Sequence, residues 1–323
     1  MNDPRSLKAA LETHISSFDF SSRKPAHLYE PIAYILEMKG KRIRPLLCMM
    51  AYQAVSKRPF EEAMNLASAV ELFHNFTLMH DDIMDRAPVR RGKPTVHKVW
   101  NEDIAILSGD ALFAFSMGLV VQDFPQQAAA LGQEFAQVSM EVCEGQMEDM
   151  DLADQEEADI PTYLEMIRKK TAALLGGCMS LGALAAGAPA DLVARFKEFG
   201  ESLGIGFQLQ DDLMDAFPPA NFGKQVGGDI IENKKTYLLL KALELADEKQ
   251  EKALHKWLTT SDQPEAKVAG VLEIFKALDI EAKTQSLIKT YFDRAATLSQ
   301  QLSQETDFDL LRNYLQDIFN RKL

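Results

Sequence analysis

The sequence predicts an all-α protein, and three observations carry that reading. Apolar residues recur at helical spacing, as in Leu28, Ile32, Ile35 and Leu36. No run alternates apolar and polar residues as a strand would. Two long apolar segments each end in the same acidic pattern, Asp81-Asp82-Ile83-Met84-Asp85 and Asp211-Asp212-Leu213-Met214-Asp215. The 323 residues, 46% of them hydrophobic, suffice for one large core or two ordinary domains. With no convincing linker and no repeat beyond the paired boxes, they read as a single helical bundle domain over residues 1–323.

In order, residues 4–19 read as a first helix and Pro25 to Met38 as a second. Gly40-Lys41-Arg42-Ile43-Arg44-Pro45 breaks the pattern, and Pro45 fits the first turn of the apolar helix that follows. Lys41 and Arg44 flank that helix start, where backbone N–H groups favour anions; an ordinary basic loop is the plainer reading. Residues 60–85 form a long helix ending at the first box, with His74 two turns before Asp81, either a core residue or a diphosphate contact. The stretch 86–97, with two Pro and a Gly, reads as a loop. Its adjacent Arg90 and Arg91 point in different directions and suit two different anions.

Helix resumes over 98–122 and again over 126–150, the latter carrying Gln146. Asp151 to Asp159 reads as an acidic loop. Residues 161–187 run as helix through Lys169-Lys170-Thr171 into a small-residue stretch, and 190–215 lead to the second box. A Gly/Pro loop then carries Lys224 and ends beside Lys234, a layout suited to a lid closing on phosphates. The remainder reads as amphipathic helices without evident chemistry.

The boxes set the chemistry. On a helix, Asp81 and Asp85 are i,i+4 neighbours and Asp82 lies i,i+3 from Asp85. Three carboxylates at a helix C-terminus repel one another and the helix dipole unless cations occupy the site. Oxygen-only ligands suit hard ions such as Mg²⁺, which keeps waters and takes phosphate oxygens as further ligands. One box alone also suits a solvated helix face; two, each behind an apolar run, point to a pair of metal clusters.

Composition narrows the classes. Cys48, Cys143 and Cys178 share no CxxC spacing, so neither a disulfide framework nor a zinc site is indicated. The net charge is −13, and Val99 to Ile167 carries fifteen acidic residues and no Lys or Arg. Such a chain is a poor nucleic-acid binder, and the acidic run reads as a solvated helix face and loop. Thr171 to Ala190 is uncharged, yet its Gly, Pro and Ala content fits buried helix better than a membrane span, so no stable membrane insertion is expected. The N-terminal residues lack a signal-peptide core, which leaves a cytoplasmic location as the default.

GKRIRP, HDDIMD, RRGKPTVH, KKT, FQLQDDLMD, GKQVGGD and NKKTY occur in this order over residues 40–237. The ordered set resembles the trans-isoprenyl diphosphate synthases, the head-to-tail chain-elongating prenyltransferases. The resemblance implies a helical bundle around a central cavity, usually as a homodimer. It implies that Asp81, Asp85 and Asp211 are direct ligands of three Mg²⁺ ions, with Asp82, Asp212 and Asp215 in support. Lys41, Arg44, His74 and Arg91 match an isopentenyl diphosphate site; Arg90, Lys170, Lys224 and Lys234 match contacts to an allylic diphosphate. Thr171 and Gln208, with Gln146 nearby, match polar groups beside a developing cation. Ionisation of the allylic C–O bond, attack by isopentenyl diphosphate and proton loss to pyrophosphate would follow in a water-excluding cavity.

Leu238 departs from the Pro that many relatives carry after TY, beyond the phosphate ligands. Phe76, five residues before Asp81 and about 7.5 Å along the axis, with Thr77 and Phe73 beside it, is the expected chain-length residue; a plain core aromatic is the alternative. The expected product is geranylgeranyl diphosphate, with farnesyl diphosphate or a longer polyprenyl diphosphate as alternatives. Three rivals of other classes stand beside this: a terpene cyclase, an HD-type metal phosphohydrolase using His80-Asp81, and a non-catalytic binding subunit.

Overall fold

Helices form wherever the apolar period runs unbroken. The computed structural model describes residues 4–38, 40–155, 158–218, 226–260 and 262–320. The first helices are α1 (Pro4–Ser16), α2 (Ala26–Leu36), α3 (Ile43–Ser56), α4 (Met64–Met84), α5 (Val96–Val99) and α6 (Glu102–Val120). The next are α7 (Ala128–Asp154), α8 (Ile160–Ile167), α9 (Ala173–Ala185), α10 (Ala190–Ala216) and α11 (Gly228–Ile231). The last are α12 (Tyr237–Leu245), α13 (Glu248–Leu258), α14 (Pro264–Ala277), α15 (Ile280–Glu305) and α16 (Asp309–Asn320). The fold is all-α, as the sequence predicts. The sheet described is a hairpin of β1 (Val89–Arg90) and β2 (Lys93–Pro94), inside the stretch read as loop.

Several boundaries differ from the sequence reading, each for a local reason. Asn101 accepts from the Ile104 N–H, so α6 starts behind it rather than at 98. The expected acidic loop is shorter, because α7 continues to Asp154 and buries Leu152 in the core. Asp159 caps the next helix through the Thr162 N–H at 2.8 Å. The helix expected over 161–187 is interrupted by a π-helical turn, Arg168–Ala172.

The contacts divide the chain into two compact units, whose boundaries fall inside helices. One comprises residues 1–137, 177–197 and 301–323. Within it α3 is buried almost throughout, from Pro45 to Tyr52, so neighbours cover every side of that helix. Tyr52, Phe73, Phe135, Phe196 and Phe308 are fully buried, each stabilising the core by roughly 1.5–3 kcal/mol. The α4–α6 pairing is the most extensive helix packing described in this unit. Of the helices described, α6 has the length and apolarity to cross a membrane, with a mean hydropathy of 1.6 over its most apolar window. The Thr171–Ala190 stretch is instead mostly buried helix.

The other unit comprises residues 138–176 and 198–300. Its core gathers Tyr163 and Met166 of α8, Leu209 and Leu213 of α10, Leu238 to Leu240 of α12, and Phe275 of α14. The Asp247–Gln250 capping box starts α13, with each side chain bonded to the other's backbone N–H.

Candidate active site

In the first unit, α4 carries one box at its C-terminal end. Asp82 is buried, at 2% exposure, while Asp81 is partly exposed and Asp85 exposed. The reason is Arg90: its Nε and Nη2 donate to the Asp82 carboxylate at 2.8–2.9 Å, a bidentate charge-assisted grip. Arg90 reaches from the β1–β2 hairpin, whose backbone turns through Arg91 at φ 52° and Gly92 at φ 78°. The adjacent arginines therefore do part, as their spacing suggests. Arg91 turns the other way and donates from Nη1 to the Met38 carbonyl at 3.2 Å.

Arg91 lines a cavity of about 450 Å³ with Lys41, Arg42, Arg44, His74 and a single carboxylate, Glu71. The α3 start builds it. Arg42 sits at φ 55°, and its buried guanidinium binds Glu71 and the carbonyls of Leu36 and Met38, closing the end of α2. Asn75 donates to Glu71 from the next turn. The Arg44 guanidinium donates to His74 Nε2 at 3.3 Å. Burial, then the surrounding arginines, hold the His74 pKa well below the usual imidazole value, so His74 is neutral and its other nitrogen carries the proton. The pocket is thus cationic through Lys and Arg, with one internal counter-charge, a lining chemically suited to an anion.

Behind the box on α4, Phe76 lies near-parallel to Phe113 of α6, centroids 5.2 Å apart. Phe73 meets Phe76, Phe113 and Phe135 at 5.2–5.8 Å. Thr77 spends its hydroxyl on the His74 carbonyl at 2.8 Å. His80 turns toward α6: Nε2 donates to the Ile106 carbonyl at 3.1 Å and lies 3.9 Å from the Asp110 carboxylate, and the ring meets Phe76 edge-on. An HD-type metal centre has no support in that arrangement.

In the second unit, α10 carries the other box with the same division of labour. Asp212 is buried, Asp215 intermediate and Asp211 exposed. Asp212 accepts from the Tyr163 hydroxyl and from Gln208 Nε2. Burial pushes its pKa up to about 7, against the pull of both hydrogen bonds. Asp215 accepts from the backbone N–H groups of Gly228 and Asp229 at 3.1 and 3.0 Å, which anchors α11 to the box. Thr171 donates to Gln208 Oε1 at 3.0 Å, so Thr171, Gln208, Asp212 and Tyr163 form one chain of hydrogen bonds.

The π-turn sets the lysines. Both lysines of the turn pair with carboxylates of α7, and π segments of this kind are frequent at functional sites. Lys169 pairs with Glu144 and Glu148, while Lys170 donates to Asp149 at 2.5 Å. Two glycines make room for the turn. A Cβ at Gly145 of α7 would stand 2.2 Å from Lys170 N, and one at Gly204 of α10 would stand 2.5 Å from Ala172 Cα. Gln146 follows Gly145 and is partly buried. Lys234 pairs with Asp229 and Glu232 at 3.2 Å; burial opposes its charge, but those carboxylates outweigh it and raise its pKa. Lys224 lies outside the described residues.

The donor set fits Mg²⁺. Each box offers carboxylate oxygens at an exposed helix end, and among the described residues no three His, Cys, Asp or Glu side chains close on one point. A hard cation that keeps waters and phosphate oxygens needs only such a partial protein shell. Sequence reasoning missed Tyr163, Asp149, Asp229 and the Arg42–Glu71 pair. Tyr163 had a faint signal, lying seven residues and two turns before Lys170. The others are ordinary charged residues whose partners only folding identifies.

Comparison with known proteins identifies the family. The Polyprenyl synthetase family profile matches residues 25–275. A short chain isoprenyl diphosphate synthase from Methanocaldococcus jannaschii is 40% identical over 78% of this chain and 77% of its own. A geranylgeranyl diphosphate synthase from Methanosarcina mazei is 39% identical over 68% of this chain and 69% of its own. A crystal structure of a geranylgeranyl pyrophosphate synthase superposes with a TM-score of 0.88 at 39% identity, covering 94% of both chains. With the ordered motifs on these helices and a family match over most of its length, the chain belongs to the polyprenyl synthetase family, the prenyltransferases that build isoprenyl diphosphates.

Proposed function

We propose that this chain condenses isopentenyl diphosphate head-to-tail with allylic diphosphates, and that its main product is geranylgeranyl diphosphate. One observation carries the assignment of roles. In each box the second aspartate is buried and bonded to protein, while the first stays accessible. Asp81, Asp85 and Asp211 are therefore the residues proposed to hold three Mg²⁺ ions, with Asp82, Asp212 and Asp215 fixing the helix ends around them. Bound Mg²⁺ would supply Lewis-acid neutralisation of charge on the departing pyrophosphate.

The chain's own groups do the rest. The cavity of Lys41, Arg44, His74 and Arg91 takes the diphosphate of isopentenyl diphosphate and orients its double bond. A neutral His74 serves there as a hydrogen-bond partner rather than a charge. Lys170, Lys234 and Arg90 hold the allylic diphosphate, each preset by a carboxylate partner. Thr171 and Gln208, held in one hydrogen-bonded chain, and Gln146 beside them turn oxygen dipoles toward the developing allylic cation. The Phe76–Phe113 stack supports a bounded tail site and hence a product of medium length.

The chain is further proposed to act as a cytoplasmic homodimer. On α6, Ile106 and Leu107 are 42% and 60% exposed, and on α7 Met140, Cys143, Met147 and Met150 share one exposed face. Apolar faces of that kind call for a partner, and a second copy would cover them without membrane insertion. A monomer at micromolar concentration by analytical ultracentrifugation would refute this. The catalytic reading is tested by incubating the chain with Mg²⁺, isopentenyl diphosphate and each allylic primer, then sizing the product alcohols by mass spectrometry. Asp81→Ala and Asp211→Ala should abolish condensation with the helical circular dichroism unchanged; full turnover by either would overturn the role assignment.

A further inference from the structure

Lys267 of α14 is an anomaly: a lysine at 2% exposure, remote in sequence from every motif. Its ammonium donates to the Ile231 carbonyl at 3.2 Å and to Asn233 Oδ1 at 2.5 Å, both neutral acceptors. Burial lowers its pKa. A buried amine is costly unless fully used, so the question is what it holds.

It holds the segment that follows the second box. Asn233 adopts φ 58°, a left-handed conformation that few side chains accept. Its side chain is fastened on both sides: Oδ1 accepts from Lys267, and Nδ2 donates to the Leu258 carbonyl of α13 at 3.0 Å. The residue next in sequence is Lys234. The residue beside Lys267, Val268, packs on the opposite end of α11: a Cβ at Gly227 would stand 2.7 Å from a Val268 methyl. Residues 267 and 268 thus seat both ends of α11. From that seat α11 presents its first N–H groups to Asp215, and the turn after it sets Lys234 against Asp229.

We infer that Lys267 is a positioning residue for the allylic diphosphate side of the site, acting through Asn233 and α11 to hold Lys234, Asp229 and Asp215 in register. The inference rests on the prenyl-transfer reading above. No bond is made or broken by Lys267; it fixes the geometry of groups that bind substrate.

Lys267→Met keeps the stem volume and removes both donors. Steady-state kinetics with geranyl diphosphate and isopentenyl diphosphate as the two substrates are the readout. The expected result is a KM for geranyl diphosphate raised about tenfold to a hundredfold, with the KM for isopentenyl diphosphate within twofold of wild type. Asn233→Gly keeps the left-handed turn without strain and removes both side-chain fastenings, the acceptor for Lys267 and the donor to the Leu258 carbonyl; it should shift the same KM in the same direction. If Lys267→Met does not fold, Asn233→Gly decides alone. Unchanged KM values for both substrates, or a fall in kcat alone, would show a merely structural lysine and overturn the inference. A wild-type chain that forms no prenyl product would instead overturn the functional reading on which it rests.

Discussion

Replacing Gly145 by alanine isolates the π-turn. A Cβ at this position would stand 2.2 Å from Lys170 N and 2.7 Å from Lys169 C and Lys170 Cα. All three are backbone atoms, so no rotamer change relieves the clash. Restoring an ordinary 3.4 Å contact means parting α7 from the turn by about 1.2 Å. Overpacking of this kind costs about 1–3 kcal/mol, partly offset by the helix propensity of alanine, about 1 kcal/mol. The fold should therefore survive, while Lys170 and Thr171 move. A displacement of about 1 Å in groups that orient a reacting substrate costs on the order of a hundredfold in rate. Gly132→Ala on the same helix is the control, since its Cβ would meet only a Val121 methyl at 3.6 Å. The assay is kcat for condensation beside circular dichroism and thermal melts for both variants. Gly145→Ala should lose about a hundredfold in kcat with a cooperative melt, and Gly132→Ala should keep both. A Gly145→Ala enzyme within twofold of wild type would refute the claim that close approach at this glycine sets the turn.

Phe76→Ala should lengthen the product, and Phe76→Ala with Phe113→Ala should lengthen it further, because Phe113 stacks directly on the deleted ring; unchanged product size by mass spectrometry would place the floor elsewhere. Tyr163→Phe leaves Asp212 with Gln208 alone and should weaken apparent Mg²⁺ affinity about tenfold or more in metal titrations of activity and of thermal stability. His74 is held neutral in the folded chain, whereas the unfolded chain protonates it near its ordinary value of about 6.5. The unfolded state therefore binds more protons below that pH, and stability present above it is lost as pH falls toward the depressed folded pKa. In urea melts of the unliganded chain, His74→Gln should show a shallower loss over that acidic window than wild type; identical slopes would contradict a neutral His74.

The acidic boxes were legible because their meaning is local: i,i+3 and i,i+4 spacing puts carboxylates on one helix end whatever the rest of the chain does. The GKRIRP start was legible for the same reason, since a break before a Pro-bearing apolar helix fixes where backbone N–H groups point. The π-turn was not. It depends on Gly145 and Gly204, distant in sequence from the turn and from each other, both packing against it. Arg90 reads in the sequence as an anion contact, yet its partner here is Asp82 in the same box region, because the hairpin bends it back. The pairing of Lys170 with Asp149 was likewise hidden, as a carboxylate inside an acidic run gives no sign of which lysine it will meet.

The Arg90–Asp82 clasp would couple the binding of an anion to that of a cation. On the proposed reading, a diphosphate that draws the guanidinium away would leave the buried Asp82 carboxylate without the arginine that clasps it. The helix tip would then be more negative and more hospitable to a divalent ion. Diphosphate and metal would then bind cooperatively, each raising the affinity for the other.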